Sequence, residues 1–238
     1  MRKVKYLMVV CLLGMATSAF AQFTNAKASS SFSSNGGDIK GWSSLKLSYH
    51  PMSFVPDQGD SEGCTGLSLG YARSFAVSQN HPLFLEVGAN LLWTTYDMTD
   101  IFEVRYYYDD FSAKLNMFSV NVPVNFGYKY SFNEDMFVYP YIGVNFRINA
   151  VGKIKCSAED ESKNFNIFDK DDMCDLADNM GDTLEYLQPF ERFQAGWQIG
   201  VAFGINRVML AASYGKDFTE ILEKTKMAMP SITLGITF

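Results

Sequence analysis

The chain has 238 residues, of which 47% are hydrophobic, 15% aromatic and 19% charged, with a formal net charge of −6. This aromatic content and a mean hydropathy of −0.05 exclude disorder along the whole chain. Beyond residue 21, no apolar run approaches the roughly 20 residues of a membrane-spanning helix, which excludes a helical membrane protein. The acidic balance also argues against nucleic-acid binding, which requires a basic surface.

Residues 1–21 have the features of a secretory signal peptide. Three basic residues lie within the first five positions, and an apolar stretch comes after them at residues 6–15. Ala19 and Ala21 are the small residues of an A-x-A cleavage site before Gln22. Cleavage removes the three basic residues and leaves 17 basic against 26 acidic residues, so we expect an exported protein with a net charge of −9.

The rest of the chain contains eight segments with period-2 alternation of apolar side chains, which is typical of β-strands. Residues 22–38 before them are Ser-rich and polar and are expected to be a flexible N-terminal segment, so that residues 39–238 form one β-barrel domain. The predicted strands are Trp42–His50, Thr65–Phe75, Leu83–Tyr96, Leu115–Tyr130, Phe137–Ala150, Phe190–Gly204, Val208–Tyr214 and Met229–Phe238.

The lengths of these segments and of their connections predict a transmembrane barrel. Most segments have 9–15 residues, whereas strands of globular proteins average about 5–6 and a tilted strand that crosses a bilayer needs about 9–11. Long and short connections strictly alternate, as in outer-membrane barrels with long outer loops and short periplasmic turns. The predicted fold is all-β, an eight-stranded antiparallel up-and-down transmembrane barrel, with extracellular loops at 51–64, 97–114, 151–189 and 215–228.

The end of the sequence supports this interpretation. The last residue is Phe238, and Ile236, Leu234 and Ile232 occupy every second position before it. This ending is similar to the C-terminal assembly signature of Gram-negative outer-membrane barrels. Tyrosines and tryptophans near strand ends, among them Trp42, predict the aromatic girdles that such barrels place at the two membrane interfaces.

The sequence resembles small outer-membrane β-barrel proteins of the OmpA/OmpX type and the porin-like outer-membrane barrel family of Bacteroidota. The stretches FSVNVPVNFGYKY (118–130), VYPYIGVNFRIN (138–149) and ITLGITF (232–238) carry the resemblance. It implies a location in the cell outer membrane of a Gram-negative organism, contact with outer-membrane lipid and lipopolysaccharide, and insertion by the outer-membrane assembly machinery. The motifs are structural, so the resemblance implies no substrate and no cofactor.

Charged side chains in the inward rows predict a filled lumen. Eight strands leave an interior that side chains can fill, and an unpaired buried charge is costly. We therefore expect Glu86 to pair with Lys46 or Arg147. A path for protons or ions is the alternative use of these residues.

Three cysteines remain after the leader: Cys64, Cys156 and Cys174. Export to an oxidising compartment permits a disulfide. Cys156 and Cys174 share one predicted outer loop and are the candidate pair. In the chain-entropy model such a disulfide would stabilise the folded loop by ~3 kcal/mol relative to the unfolded one. The alternative is three free thiols.

Residues that could carry chemistry are few. His50 with Ser53 and a loop acid could imitate the Ser-His-acid set of barrel lipid hydrolases, but no motif accompanies them. The acidic stretch 169–175 could gather a divalent cation, yet Cys174 stands where an EF-hand loop needs glycine. We predict no catalytic, cofactor-binding or metal-binding residue and no enzymatic activity. Helical spacing of apolar residues predicts a short helix at 171–187.

The expected function is structural or interactive, with the outer loops presenting a surface to an unknown ligand or protein. Three alternatives stay open: a narrow pore for ions or small solutes, a component of an envelope export complex, and a surface enzyme that modifies lipid. The acidic charge leaves no nucleic acid among the expected partners.

Overall fold

The computed structural model of the chain describes residues 41–78, 81–99, 111–133, 135–158, 161–180 and 188–238. The predicted signal peptide, with its cleavage site at Ala19, Ala21 and Gln22, lies outside the described residues. The predicted flexible segment 22–38 also lies outside them.

Within these ranges the chain forms eleven strands and one helix. The long strands alternate in burial from one residue to the next along most of their length, as the sequence pattern predicts. The strands and the helix are β1 (Ser43–Pro56), β2 (Glu62–Ala76), β3 (Leu83–Asp97), β4 (Ser112–Tyr128), β5 (Tyr130–Ser131), β6 (Met136–Ala158), β7 (Glu161–Asn166), α1 (Lys170–Met180), β8 (Phe193–Ile205), β9 (Val208–Asp217), β10 (Thr225–Ala228) and β11 (Ser231–Thr237).

Eight strands pair into a closed antiparallel ring, and this confirms the predicted fold. The order around the ring is β1, β2, β3, β4, β6, β8, β9 and β11, and β11 pairs again with β1. We call the end where β1 begins and β11 ends the terminus end. It holds the short connections 77–82, 129–135 and 206–207. The opposite end, with the long connections, is called the loop end.

The outside of the ring carries a belt of exposed apolar side chains. Leu85, Ile142 and Ile199 lie on it, and Ile142 and Ile199 are 58% and 51% exposed. An apolar area that encircles a closed ring is unfavourable in water and favourable against lipid chains. Closure also satisfies the backbone hydrogen bonds that the hydrocarbon core cannot satisfy. The ring is therefore a transmembrane barrel.

The strands continue beyond the belt at the loop end, where their polarity inverts. Strand β6 has 23 residues, about twice the 9–11 that a tilted strand needs to cross a bilayer. Beyond the belt, outward positions are polar, such as Lys114 and Lys153, and inward positions are apolar, such as Leu115 and Ile154. Much of the predicted loop 51–64 and the first part of the predicted loop 151–189 are therefore strand. The sequence interpretation ended these strands where the outward apolar row stopped.

Helix α1 lies at the loop end and covers the first part of the predicted helix 171–187. Its N-terminus is capped by Asp169, whose Oδ1 accepts a hydrogen bond from the backbone N–H of Asp171 at 3.0 Å. Met173 and Leu176 on one face are fully buried. Residues 181–187 lie outside the described ranges. In the part of the chain that the structure describes, no helix is long and apolar enough to cross a membrane.

Candidate functional site: the barrel interior and the loop-end cap

The terminus end of the interior is filled by an apolar layer, here called the floor. It consists of Trp42, Phe84, Phe137, Tyr139, Ala202, Met209 and Ala211. The Trp42 ring lies edge-on to Phe84 at 4.6 Å between centroids and to Tyr139 at 5.5 Å. Trp42 is thus buried in the lumen, and its predicted place in an interfacial girdle is wrong. The start of β1 turns this side chain inward, where an aromatic ring fills the lumen.

Above the floor lies a hydrogen-bonded polar layer built around Glu86. Lys46 Nζ lies 2.6 Å from Glu86 Oε1, and Asn125 Nδ2 donates to the same oxygen at 3.1 Å. Ser74 Oγ donates to Glu86 Oε2 at 3.3 Å. Gln198 Nε2 donates in turn to Asn125 Oδ1 at 2.5 Å. The buried carboxylate therefore has one cationic and two neutral donors.

A second buried ion pair lies nearer the loop end. Arg147 Nη2 is 2.5 Å from Asp217 Oδ2, and the two side chains are only 1% and 4% exposed. The guanidinium also contacts the sulfur atoms of Met227 and Met229. Of the two partners expected for Glu86, the structure pairs it with Lys46 and not with Arg147.

Asp217 was not among the residues singled out in the sequence. The predicted seventh strand stopped at Tyr214, so Asp217 fell in a loop. The signal that could have found it is the alternation itself, because continuing the period of two past Ser213 and Gly215 turns Asp217 inward.

The Lys46–Glu86 pair and Asp217 of the second pair line a small cavity in the middle of the barrel. Its volume is about 60 Å³, and its walls include Lys46, His50, Glu86, Asn121 and Asp217. A buried water needs ~10–15 Å³ measured this way, so the cavity has room for roughly four to six waters. It is far smaller than the sites of ordinary small-molecule ligands, which measure about 300–1,000 Å³.

The loop end is closed by a second apolar core, here called the cap. Its residues come from the upper parts of the strands, from helix α1 and from the connection 218–230. They are Met52, Cys64, Leu92, Tyr96, Met98, Phe111, Ala113, Leu115, Met117, Ile154, Cys156, Phe165, Ile167, Met173, Leu176, Phe190, Ile221, Met227 and Met229. Six of the nineteen are methionines, whose flexible side chains fill irregular space.

His50 lies inside the barrel. Its Nε2 is 2.8 Å from Ser68 Oγ, and both residues are buried. Ser53 lies three positions along β1, on the opposite face of the strand. The set of His50 and Ser53 considered from the sequence is therefore not formed. Among the described residues, no group of three or more His, Cys, Asp or Glu side chains could hold a metal ion.

The candidate disulfide between Cys156 and Cys174 is not formed, and this prediction is wrong for the structure. Both cysteines and Cys64 are free thiols. Cys156 points into the cap, whereas Cys174 is exposed on α1 because Met173 and Leu176 are the residues that turn that helix toward the cap. In the part of β6 above the belt, burial raises the pKa of the Cys156 thiol to about 11.

The C-terminal residues Ile232, Leu234, Ile236 and Phe238 all lie exposed on the outside of the barrel. Strand β11 pairs with β9 and β1 and so closes the ring. Recognition of these side chains by an assembly machinery stays a prediction.

No family model and no curated protein matches the chain. Among solved structures, the chain is similar to Ail, the attachment invasion locus protein of Yersinia pestis, at 16% identity, covering 84% of this chain and 100% of that chain, with a TM-score of 0.46. It is also similar to Neisserial surface protein A, at 12% identity, 83% and 97% coverage and a TM-score of 0.41. The chain is also similar to the outer membrane enzyme PagL, at 9% identity, covering 81% of this chain and 98% of that chain, with a TM-score of 0.43.

Proposed function

We propose that this chain is a sealed outer-membrane barrel that acts as a structural and surface-interaction protein. In this proposal the loop end faces the outside of a Gram-negative cell, as the resemblance to the porin-like outer-membrane barrels of Bacteroidota implies. The observation that carries the proposal is the layered interior, in which a small polar cavity lies between an aromatic floor and an apolar cap.

The interior supports a sealed barrel better than a pore. A conducting lumen needs a continuous polar path, and here large buried side chains occupy both ends. Trp42 and Tyr139 fill the floor, and Leu115, Ile154 and Met173 fill the cap. The charges between them are engaged with one another in hydrogen-bonded pairs. Plugging by paired charges is the expected state of an eight-stranded barrel.

The cap supports a role at the loop-end surface. The upper part of β6 and strand β7 form a hairpin. Buried side chains of this hairpin and of α1 pack in the cap and hold both elements against the barrel. The outer face of α1 then presents a defined acidic surface, with Asp171 and Asp175 exposed. A folded surface of this kind loses less conformational entropy on binding a protein or ligand than a loose loop does.

We also propose that the chain is not an enzyme. His50 and Ser68 form the hydrogen-bonded pair that most resembles a catalytic arrangement, but they lie inside the lumen, below the cap. A lipid substrate would have to leave the bilayer and pass between paired strands to reach them.

The test is single-channel recording on the refolded barrel in a planar bilayer. The expected result is no stepwise conductance for the wild type and opening events for Leu176→Asp, which places a charge in the cap. Cys174→Asp is the matched control, because it adds the same charge to the exposed face of the same helix. Regular conductance steps in the wild-type protein would overturn the sealed barrel and favour the narrow pore.

A further inference from the structure

Three lysines form a ladder on the outer wall of the barrel, just above the belt. Lys114 on β4 and Lys155 on β6 are directly paired across the two strands, and Lys153 lies two positions nearer the membrane, opposite Asn116. All three lysine side chains are exposed. Asn164 on β7 is paired with Lys155 and extends the polar face. We call the three lysines the lysine ladder.

This arrangement is unfavourable for the barrel by itself. Like charges directly opposite each other in a sheet are destabilising, since their Cβ atoms are only about 4.5–5.5 Å apart. One acid, Asp97, is paired with Lys114 from the β3 side and attracts it electrostatically, which offsets one of the three lysine charges. Among the described residues, the ion pairs within 4.0 Å involve Lys46 and Arg147 and not the ladder. The ladder therefore keeps a net positive charge.

The acidic balance of the chain makes this local surplus notable. The described loop-end segment beyond the ladder carries acids, among them Asp169, Asp171 and Asp175. Other loop-end lysines, such as Lys170 and Lys224, have acids beside them in the chain, whereas the ladder places three lysines together on the outer wall next to the bilayer. A surface that concentrates positive charge in an acidic protein favours a localised anion as its partner.

The position of the ladder relative to the belt identifies the kind of anion. Phe118 and Val151 are paired directly below the Asn116–Lys153 pair, and Trp93 is paired with Phe118 from β3. These three side chains are exposed on the outside of the ring. One step of two residues along a strand is about 6.6 Å. The backbone of Lys153 therefore lies one such step above an apolar and aromatic wall, which puts the start of the ladder at headgroup depth.

We propose that the lysine ladder binds the phosphorylated headgroup of a lipid of the surrounding leaflet, with the acyl chains lying along Trp93, Phe118 and Val151. This inference rests on the proposed function, because it needs the loop end to stand in a leaflet that contains such a lipid. The chemistry required is a cluster of phosphate groups, because three lysines on two paired strands, two of them directly opposite each other, match more than one negative charge. A soluble polyanion would satisfy the ladder but would make no use of the apolar wall below it.

The experiment measures lipid binding to the full refolded barrel in neutral detergent by native mass spectrometry. The probes are a diphosphorylated acylated glucosamine disaccharide, the same lipid without its phosphates, and inorganic pyrophosphate. The ladder variant carries Lys114→Gln, Lys153→Gln and Lys155→Gln. The matched control carries Lys170→Gln, Lys224→Gln and Lys226→Gln, which removes the same charge from the loop end outside the ladder.

The diphosphorylated lipid should bind the wild type and the control within about twofold of each other, and the ladder variant roughly tenfold or more weakly, because charge-assisted hydrogen bonds are lost. The dephosphorylated lipid should bind all three proteins equally weakly, and pyrophosphate should not compete. Arginines at the three ladder positions should restore binding.

Three results would overturn the inference. Equal loss in the ladder variant and the control would show a general charge effect. If pyrophosphate or a soluble sulfated oligosaccharide binds the ladder as tightly as the lipid does, the ladder is a site for soluble anions. A barrel that is folded and electrically silent but has no preference for the phosphorylated lipid would refute only this inference. A conducting barrel with normal lipid selectivity would refute only the sealed-barrel proposal.

Discussion

Removing Asp217 should be among the most damaging single changes in the barrel interior. Arg147 is 1% exposed, and in Asp217→Ala its guanidinium would keep only the sulfur contacts with Met227 and Met229. Loss of one partner from a buried ion pair costs ~3–5 kcal/mol, because the remaining charge stays buried without compensation. Asp217→Asn retains an acceptor of the same shape and should cost less, ~1.5–3 kcal/mol.

The double variant Arg147→Met with Asp217→Leu separates the cost of an orphaned charge from the value of the pair. Methionine at position 147 would join a neighbourhood that already contains Met227 and Met229. Exchange of a whole buried pair for apolar residues is often neutral, so the double variant should lie within about 1 kcal/mol of the wild type. The two single changes would then be strongly non-additive.

The assay is urea-induced unfolding of the barrel in lipid vesicles, monitored by tryptophan fluorescence. Lys46→Ala is the internal control. Lys46 is 18% exposed, and Glu86 would keep its bonds from Asn125 and Ser74, so this change should cost only ~1–2 kcal/mol. If Asp217→Ala lowers the free energy of unfolding by less than about 1 kcal/mol, the buried pair is not what the structure indicates. If the double variant lowers the free energy of unfolding by the sum of the two single losses, the expected non-additivity is also contradicted.

The outer surface and the cap give three further predictions. Ile199→Arg, in the belt, should lower the free energy of unfolding by ~2–4 kcal/mol, whereas Ser53→Arg, on the outer face beyond it, should change it by less than about 0.5 kcal/mol; equal costs would mean that the belt is misplaced. A membrane-impermeant maleimide added to whole cells should label Cys174 rapidly and Cys64 and Cys156 only after unfolding, because the latter two are buried in the cap. Uniform labelling of the three cysteines would contradict the cap. An unlabelled Cys174 would contradict the proposal that the loop end faces the outside of the cell. The unboiled protein should migrate differently from the boiled protein on a denaturing gel, since a closed ring resists detergent; identical migration would argue against closure.

The sequence was sufficient to predict the ring of eight strands because one rule governs every strand within the bilayer. Outward side chains there must be apolar, so the rows through Leu85, Ile142 and Ile199 could be assigned from the period of two alone. The same rows located the inward face and with it Lys46, Glu86 and Arg147. Which of these charges pair depends on distances across the lumen, and alternation along single strands does not contain that information.

The cap could not be found by the same rule, because its polarity is the reverse. Above the belt Leu115 and Ile154 point inward and Lys114 and Lys155 point outward. The strand pairing shifts between Phe118 and Ser119, close to the level at which this change occurs. A search for outward apolar rows stops there and assigns the upper parts of the strands to loops. The candidate disulfide was wrong for a related reason, since sequence separation says nothing of which face of β6 or α1 each cysteine occupies.

The composition of the cap also leads to an expectation about the order of folding. Its apolar residues come from β1, β4, β6, α1 and β10, so most of the chain must already be in place before they can meet. Contacts between such distant parts of a sequence form late, because the entropy of closing long loops must be overcome first. We therefore expect the cap to consolidate after the strands that carry it have paired. Once consolidated, the cap ties these parts of the chain together at the loop end and opposes withdrawal of any single hairpin.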